Sequence, residues 1–345
     1  MLLFKEEQLK KLSVKMFKVA GASDEQAETV SEILVKTSLY GIDSHGVRAL
    51  PGHIRSLKSG RYSPDGKHTV LKDTLTTALW EGNKQFGHVV AKKAMETAIK
   101  KAESYRMGWV STVSQHIGAL FYYSMMAAEK DMIGIVSCRV GTVGGRTTPY
   151  GGAEGRFGTN PLSISIPANE EKPILLDMAT SIVASGHLAV MAARGESTPE
   201  GWIIDKDGNP TTNPSDYFKG GYMLPFGTYK GYSLSIIIAA LPMFLPGLSL
   251  ENESKTYMWG HTFMALDPAG FMPLQDYKNR TDALIRYIKS CPPLPGRQVQ
   301  MPFEREYKRK EQRSKEGIPV DEPFWDNIVK AAAEIGIDAN KEMGR

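Results

Sequence analysis

Apolar residues recur every three or four positions over residues 1–60, which is the spacing of helices that bury one face. A first helix ends at Gly21, a residue suited to a left-handed cap, and its apolar face consists of Leu9, Leu12, Met16 and Val19. Ser23 and Gln26 form a capping box for a second helix that stops before Gly41. Residues 41–46 break the pattern, and the next helix is expected to be kinked or interrupted at Pro51.

The pattern changes near Thr69, where short apolar runs predict β-strands. These runs are residues 78–80, 108–110, 133–136, 162–166 and 174–176. Helical spacing returns over residues 89–105 and 122–130, and strands that alternate with helices predict an α/β fold. Residues 304–315 carry dense charge of both signs, which favours a solvated helix face, and a last helix is expected over about residues 322–335.

One stretch, Ser233 to Leu250, contains no charged residue and barely reaches the length needed to span a membrane. Pro242 and Pro246 interrupt it and remove backbone donors. We therefore predict a buried core helix that ends near Leu241, and no membrane span.

Composition and charge place the chain among ordinary globular proteins. A length of 345 residues favours two lobes over one. The 42 basic and 38 acidic residues are interleaved, which argues against a nucleic-acid partner. Cys138 and Cys291 are the only cysteines and lie far apart, and the N-terminal residues lack the pattern of a secretory signal. These features predict a reducing, cytoplasmic location.

Several common ligand-binding motifs do not occur in the sequence. There is no Gly-x-Gly-x-x-Gly after a strand and no Walker-type Gly-Lys-Ser/Thr, so an ordinary Rossmann assignment lacks its main support. The seven histidines include no His-Glu-x-x-His, and neither cysteine has a neighbour at metal-ligand spacing. No metal site is predicted.

His45 lies between two glycines in the helix break, where side chains are exposed and a backbone can approach a ligand. If Ser44 caps the following helix, the positive end of that helix disfavours an imidazolium. The carboxylate of Asp43 favours the charged ring and can fix its tautomer, so the pair is suited to proton transfer. The alternative is a capping or surface histidine without a catalytic role.

His116 follows a strand-like run that ends at Val113, where open α/β sheets bind ligands. It is expected to contact substrate or nicotinamide, and the alternative is a polar loop residue with a structural hydrogen bond. Arg139, just after another strand, is a candidate clamp for a substrate carboxylate, and Arg48 is its rival.

Two strand ends are rich in short polar groups that suit a ribose or a phosphate. They contain Thr159, Asn160, Asp177, Met178, Ala179, Thr180 and Ser181. The alternative is turn and cap chemistry, with a helix that starts at Thr180 or Ser181. Tyr229 and Lys230 precede the apolar helix, and a lysine there calls for an anionic partner such as a cofactor phosphate, unless it extends to solvent.

In their order along the chain, these segments resemble the type-2 malate/L-lactate dehydrogenase family. That family also includes 2,3-diketo-gulonate, ureidoglycolate, sulfolactate and cyclic imino-acid oxidoreductases. The resemblance spans nearly the whole chain, and its landmarks are residues 43–47, 115–118, 158–161, 177–181, 201–202, 210–212 and 229–232. Each landmark is short, and their shared order and spacing carry the resemblance.

The resemblance implies a non-Rossmann NAD(P)-binding α/β lobe and a discontinuous helical lobe formed by both chain ends. We expect the helical lobe to comprise residues 1–70 and 305–345, and the α/β lobe residues 71–304. Homodimers that bind cofactor and substrate near the subunit interface are also implied.

The implied reaction is hydride transfer between NAD or NADP and C2 of a small 2-keto or 2-hydroxy acid. His45 is then the general acid toward the carbonyl oxygen, with Ser44 beside it against the substrate. The resemblance also implies that residues 176–182, Tyr229 and Lys230 contact the dinucleotide, together with the segment formed by Phe303, Glu304 and Arg305.

The chain departs from the family pattern at three positions. Ala49 stands four residues after the histidine, where arginine is common; Phe303 replaces a glycine; and Ala239 replaces an acidic residue. Two alternatives stay open beside the keto-acid reaction. One is a cyclic imino-acid reductase, which reduces C=N, and the other, motivated by these departures, is a catalytically silent member that binds a ligand.

Overall fold

The computed structural model describes residues 1–139, 145–249 and 259–344. Its helices are α1 (Glu6–Val19), α2 (Asp24–Leu39), α3 (Leu50–Lys58), α4 (Gly87–Tyr105), α5 (Phe121–Ala128), α6 (Ser185–Arg194), α7 (Pro214–Phe218), α8 (Tyr229–Phe244), α9 (Leu274–Lys289), α10 (Glu304–Glu316), α11 (Glu322–Ala333) and α12 (Ala339–Glu342). Its strands are β1 (Leu2–Phe4), β2 (Thr69–Asp73), β3 (Thr77–Glu81), β4 (Met107–Ser114), β5 (Ile133–Arg139), β6 (Leu162–Ile166), β7 (Ile174–Met178), β8 (Ile203–Ile204), β9 (Pro210–Thr211), β10 (Tyr222–Met223), β11 (Trp259–Leu266) and β12 (Ile318–Val320).

A seven-stranded mixed sheet has the order β2-β3-β4-β11-β5-β6-β7. Strands β3 and β4 pair in parallel, and the other neighbours pair antiparallel. With its many helices, this sheet confirms the predicted α/β fold. The central strand β11, late in the sequence, was not among the predicted strands.

Helices cover both faces of the sheet. Phe263 and Ala265 of β11 belong to one apolar cluster with Ala94 and Met95 of α4. Gly260 points to the opposite face by the alternation of a strand, and a Cβ there would lie 1.6 Å from the carbonyl oxygen of Pro242 in α8. A glycine at this position lets α8 approach the sheet backbone.

The two chain ends share a second apolar core. It joins residues of α1, α2 and α3 to residues of β12, α11 and α12, among them Leu12, Met16, Leu34, Ile54, Ile318, Trp325 and Ile328. Strand β1 pairs with β12, and the ring of Phe4 packs 4.4 Å from that of Trp325. The first and last segments of the chain therefore lie together.

The N-terminal helices follow the sequence prediction closely. The hydroxyl of Ser23 accepts the amide N–H of Gln26 at 3.3 Å and so caps α2. Pro51, however, lies in the first turn of α3, where its missing N–H has no helical partner to lose. The predicted interruption lies just before this proline, where the 3-10 turn Val47–Ala49 ends and α3 begins, and α3 itself continues through Pro51.

Helix α8 also differs from its prediction. It runs through Pro242 to Phe244, and one face is exposed at Ile236, Ile237 and Leu241. The expectation of a wholly buried helix ending near Leu241 is therefore wrong, and Leu250, the end of the uncharged stretch, lies outside the described residues. Among the described residues, no helix combines the length and the apolar character needed to cross a membrane.

Candidate active site

His45 is presented by two successive 3-10 turns, Asp43–His45 and Val47–Ala49, between α2 and α3. The hydroxyl of Ser44 lies 2.9 Å from Nδ1 of His45 and so can fix the tautomer of the ring. The ring is partly buried, and this burial lowers its pKa below the ordinary value. His45 is therefore a neutral imidazole at pH 7, able to accept a proton.

The backbone on either side of His45 is held by α2 and α10. The amide N–H of Val47 donates to Oγ of Ser38 at 2.9 Å. A Cβ on Gly46 would lie 2.0 Å from the same oxygen, so this position requires a glycine. Asp43 does not orient the imidazole as predicted, because both of its oxygens accept hydrogen bonds from Arg313. Asp43 instead fixes the start of the turn.

His116 lies in the loop after β4, and its ring stacks on that of His45 with centroids 5.6 Å apart. Its Nδ1 accepts the amide N–H of Gly118 at 3.3 Å, and the edge of Trp259 packs against the ring at 5.2 Å. The two histidines that sequence reasoning singled out are thus brought together from segments 71 positions apart, as their numbers 45 and 116 show.

Two further histidines complete a cluster that the sequence did not predict. His53 comes from α3 and His88 from α4, with ring centroids 5.0 Å apart. Burial lowers the pKa of His53 to about 4 and holds the pKa values of His88 and His116 well below the ordinary range, with a further contribution from the neighbouring histidines. All of these rings are neutral at pH 7.

The predicted carboxylate clamps are both engaged in contacts with the protein. Arg48 pairs with Asp321 at 2.9 Å, and its guanidinium lies 4.3 Å from the ring centroid of Phe324. The expectation that Arg48 binds substrate is therefore not supported, because its charge is already satisfied by α11. Arg139 is buried at the end of β5, and its Nη1 contacts the sulfur of Met243 at 3.0 Å.

The polar strand ends predicted for ribose and phosphate are tied together by internal hydrogen bonds. The buried hydroxyl of Thr180 donates to the carbonyls of Thr159 and Asn160, each at 3.1 Å. The buried amide of Asn160 donates to Oγ of Ser235 in α8, and the Ser181 hydroxyl donates to the carbonyl of Val183. The side chains of Asn160, Thr180 and Ser181 therefore hold the strand ends in place through hydrogen bonds within the protein.

Helix α6 starts at Ser185 and not, as expected, at Thr180 or Ser181, because the intervening residues pair with the segment before α8. The amide N–H of Ile182 donates to the carbonyl of Leu224, and that of Phe226 to the carbonyl of Thr180. Tyr229 and Lys230 begin α8 three and four residues later and are exposed. The start of α8 therefore lies next to the end of β7.

The start of α6 links this region to His45. A Cβ on Gly186 would lie 3.8 Å from Cβ of Ser44. Among the described residues, no side chain caps the start of α6 or of α8, and neither first turn contains an acidic residue. Free amide N–H groups at the start of α6 thus lie beside the histidine turn, and those at the start of α8 lie beside the end of β7. Both helix starts suit anionic ligands.

Asp177 and Met178, at the end of β7, lie beside α5 and α10, and Ala179 follows them. The carboxylate of Asp177 accepts the amide N–H of Phe121 at 2.9 Å. Burial, together with nearby Glu306, raises the pKa of Asp177 to about 7 despite this hydrogen bond. Asp177 is thus a group that titrates near neutrality.

The segment at the start of α10 contributes mostly structural contacts. Phe303 adopts a left-handed backbone conformation, and its ring packs against those of Tyr40, Phe121 and Tyr307. Hydrogen bonds from Lys308 and the Met301 amide lower the pKa of Glu304 to about 2. Arg305 is exposed and pairs with Glu306 at 3.0 Å.

Comparisons with known proteins show the family and the fold of the chain. The pattern that defines the family described as malate/L-lactate dehydrogenase matches residues 4–329. A malate/(S)-sulfolactate dehydrogenase of Methanothermus fervidus is 35% identical over 340 residues, covering 96% of this chain and 98% of that protein. The structure of a sulfolactate dehydrogenase from Methanocaldococcus jannaschii superimposes with a TM-score of 0.90 at 33% identity, covering 99% of each chain.

A structure of delta1-piperideine-2-carboxylate reductase from Pseudomonas syringae pathovar tomato superimposes with a TM-score of 0.85 at 26% identity, covering 96% of this chain and 100% of that one. The resemblance inferred from the sequence is therefore confirmed, and the chain belongs to the malate/L-lactate dehydrogenase family.

Proposed function

We propose that the protein is an NAD(P)-dependent oxidoreductase that interconverts a small 2-hydroxy acid and its 2-keto acid. The observation that carries this proposal is the His45 imidazole, held by Ser44, stacked on His116 and next to the uncapped start of α6. The family match and the names of the relatives, malate and sulfolactate dehydrogenases, support the substrate class.

His45 is the proton-transfer residue in this proposal. Its lowered pKa leaves Nε2 unprotonated at pH 7 when Nδ1 carries the proton toward Ser44. The neutral ring can accept the hydroxyl proton of the 2-hydroxy acid as its C2 is oxidised, and in the reverse direction it returns that proton to the carbonyl oxygen. His116, stacked on His45, is the second residue that we propose to contact substrate or nicotinamide.

The residues present fit a nicotinamide dinucleotide. The free amide N–H groups at the start of α8, with exposed Lys230, match the charge of a pyrophosphate, and the exposed ring of Tyr229 offers a stacking surface. We assign the adjoining contacts to the strand ends next to the start of α8 and to the start of α10, namely Asp177, Met178, Ala179, Thr180, Ser181, Thr159 and Asn160, with Phe303, Glu304 and Arg305. When bound, such a cofactor supplies or accepts the hydride.

The start of α6 is the proposed anchor for the substrate carboxylate. It lies next to Ser44, which is exposed, and its amide N–H groups suit an anion. We propose this helix start in place of Arg48 as the carboxylate anchor, because Arg48 is paired with Asp321. Arg139 stays a second, more deeply buried candidate.

We also propose the two-lobe, homodimeric organisation that the family resemblance implies. The apolar core shared by both chain ends supports a helical lobe of residues 1–70 and 305–345 beside a non-Rossmann lobe of residues 71–304. The exposed apolar face of α8 at Ile236, Ile237 and Leu241 supports contact with a second copy. We also propose a cytoplasmic location, and the free thiols of Cys138 and Cys291 are compatible with it.

The test measures the oxidation of NADH or NADPH in the presence of pyruvate-type 2-keto acids. The loss of absorbance of the reduced dinucleotide gives the rate for the wild type and for His45→Ala. We expect the variant to bind the dinucleotide with unchanged affinity and to lose turnover by roughly 100-fold or more. Unchanged turnover in His45→Ala would overturn the proton-transfer assignment.

A cyclic imine is the second candidate substrate, because the fold matches a delta1-piperideine-2-carboxylate reductase over nearly its whole length. Reduction of cyclic imines with no reduction of 2-keto acids would favour this C=N chemistry. The departures at Ala49, Ala239 and Phe303 motivate a third outcome, a silent ligand-binding protein. Calorimetry that detects neither NADH nor NADPH binding would favour that outcome.

A further inference from the structure

We propose that His53, His88 and His116 form a binding site for one divalent transition-metal ion of the imidazole-preferring class, with Zn²⁺ as the reference ion. The three residues come from α3, from α4 and from the loop after β4. One ring nitrogen of each lies within 4.8 Å of the corresponding nitrogens of the other two. This site goes beyond the proposed function, which needs no metal.

The strongest observation is the state of the His88 ring. It is fully buried, and neither Nδ1 nor Nε2 has a hydrogen-bond partner within the part of the chain that the structure describes. A buried ring nitrogen without a partner costs about 1–3 kcal/mol, and native proteins rarely leave one unsatisfied. A ligand that accepts the lone pair of His88 removes this cost, and a metal ion is such a ligand.

The His116 ring has an unprotonated nitrogen near Gly118, the glycine that also lies against the His88 ring. Nδ1 of His116 accepts the Gly118 amide N–H at 3.3 Å, so this nitrogen carries no proton in the neutral ring. Gly118 has a positive φ of 79°, and a Cβ on it would lie 2.9 Å from Nε2 of His88. The unprotonated nitrogen of His116 and the His88 ring therefore meet at one glycine, and an ion there takes over the long hydrogen bond from Gly118.

Three imidazoles are a sufficient donor set for a first-row divalent ion. Bonds of about 2.0–2.1 Å place tetrahedral nitrogen ligands roughly 3.4 Å apart, so modest rotations of the three rings bring them into range. Burial keeps all three rings neutral, which is the state that binds metal. Three protein ligands leave the fourth position for water or a small anion.

The site shares His116 with the proposed active site. An ion that holds His116 places positive charge near His45, whose ring centroid lies 5.6 Å from that of His116. If the proposed function is correct, the bound ion prevents His116 from contacting substrate and so lowers turnover. Removal of the ion by a chelator then restores turnover. This consequence depends on the proposed function, whereas metal binding itself does not.

The experiment uses the full chain stripped with EDTA and titrated with Co²⁺, whose four-coordinate complexes absorb strongly in visible light. We expect saturation at one ion per chain, displacement by Zn²⁺, and a loss of affinity of roughly 100-fold or more in His88→Gln. His68→Gln is the matched control, because His68 stacks on Trp80 away from the cluster and its loss should leave the titration unchanged.

Circular dichroism melting checks that each variant folds. If His88→Gln does not fold, His53→Gln, which removes a different ligand, is used in its place. Equal Co²⁺ affinity in the wild type and the folded ligand variant would overturn the proposal, as would the absence of saturable binding. A chain that binds Co²⁺ through these residues but reduces no 2-keto acid or imine contradicts the proposed function alone.

Discussion

Arg313 of α10 binds both carboxylate oxygens of Asp43, through Nη1 at 2.6 Å and Nη2 at 3.1 Å. The same Nη1 donates to the carbonyl of Ser38, near the end of α2. The side chains of Arg313 and Asp43 are only 14% and 21% exposed, so this pair is better shielded from solvent than an ordinary surface ion pair. A helix near the C-terminus therefore fixes the start of the turn that carries His45.

Arg313→Ala is expected to lower kcat by roughly 10- to 100-fold, because a displacement of about 1 Å in the proton-transfer group is enough for such a loss. The dinucleotide affinity should stay within about twofold, because Arg313 contacts the turn through Asp43 and does not lie at the helix starts proposed for the phosphates. Steady-state kinetics and calorimetry with NADH and NADPH measure the two effects separately.

The control for this variant is Arg309→Ala, one turn earlier on the same helix. Arg309 is 41% exposed, pairs with Glu306 at 3.7 Å and packs over Gly41 without a hydrogen bond to Asp43, so its removal should lower kcat far less than Arg313→Ala does. Added guanidinium should partly restore Arg313→Ala and have no effect on Arg309→Ala. Equal kinetics in the two variants would show that the contact with Asp43 does not position His45.

A pair of glycines tests how tightly the same turn is packed. In Gly46→Ala the new Cβ would lie 2.0 Å from Oγ of Ser38 and would break the hydrogen bond to Val47. The free energy of unfolding should fall by about 2–3 kcal/mol. Gly52→Ala, with nothing within 4 Å of its Cβ in α3, should raise it by roughly 0.5–1 kcal/mol.

Urea denaturation measures the free energy of unfolding of Gly46→Ala and of Gly52→Ala. The double variant Ser38→Ala/Gly46→Ala should recover part of the loss, because it removes the oxygen that the new methyl group meets. If Gly46→Ala is as stable as Gly52→Ala, the contact with Ser38 is not what fixes glycine at this position.

Local sequence signals were sufficient for helices α1 and α2, and they singled out His45 and His116, whose roles stay a prediction. Helix α2 carries both its apolar period and its own cap, Ser23, within a few residues. His45 and His116 stood out because each follows an element break, where side chains reach a ligand. Both predictions rest on neighbours in the sequence.

Long-range partners could not be predicted in this way. Strand β11 lies between β4 and β5, so its buried polar residues His261 and Thr262 hide the alternation that would have marked a strand. His53 and His88 look like ordinary helix residues until the fold joins α3 to α4. The same holds for Arg48, whose partner Asp321 is 273 positions away.

Phe303 offers a test of backbone strain against packing. Its φ is +66°, a conformation that favours glycine, while its ring packs within 5.7 Å of three other aromatic rings. Both Phe303→Ala and Phe303→Gly lose that packing and should be destabilised, the alanine variant by about 2–3 kcal/mol. Glycine should be the more stable replacement by roughly 1 kcal/mol, because it carries no Cβ in the left-handed region.

Urea denaturation monitored by circular dichroism separates the two terms for Phe303. The difference between the Gly and Ala variants reports the strain, and the difference between Phe and Gly reports the packing net of that strain. An alanine variant as stable as the glycine variant would mean that the start of α10 relaxes to a negative φ.

Asp177 is expected to make stability depend on pH in the direction opposite to most carboxylates. Its pKa is raised from 3.8 to about 7 by burial and by Glu306, so the folded state holds a proton that the unfolded state releases near pH 4. The contribution of Asp177 to the free energy of unfolding is fully present below about pH 4. It is lost as the pH rises toward 7, by at most about 1.4 kcal/mol per pH unit. Asp177→Asn should remove this loss while its side-chain oxygen still accepts the Phe121 amide.

Thermal melting of wild type and Asp177→Asn between pH 4 and pH 8 measures this effect, and Asp282→Asn supplies the contrast. Burial alone would raise the pKa of Asp282, but backbone N–H donors of residues 169–171 and nearby Arg286 lower it. Asp282→Asn should therefore lose stability at neutral pH, whereas Asp177→Asn should gain it there and converge with the wild type near pH 4. Parallel pH profiles for wild type and Asp177→Asn would show that Asp177 is ionised throughout this range, in contact with water or with a cation.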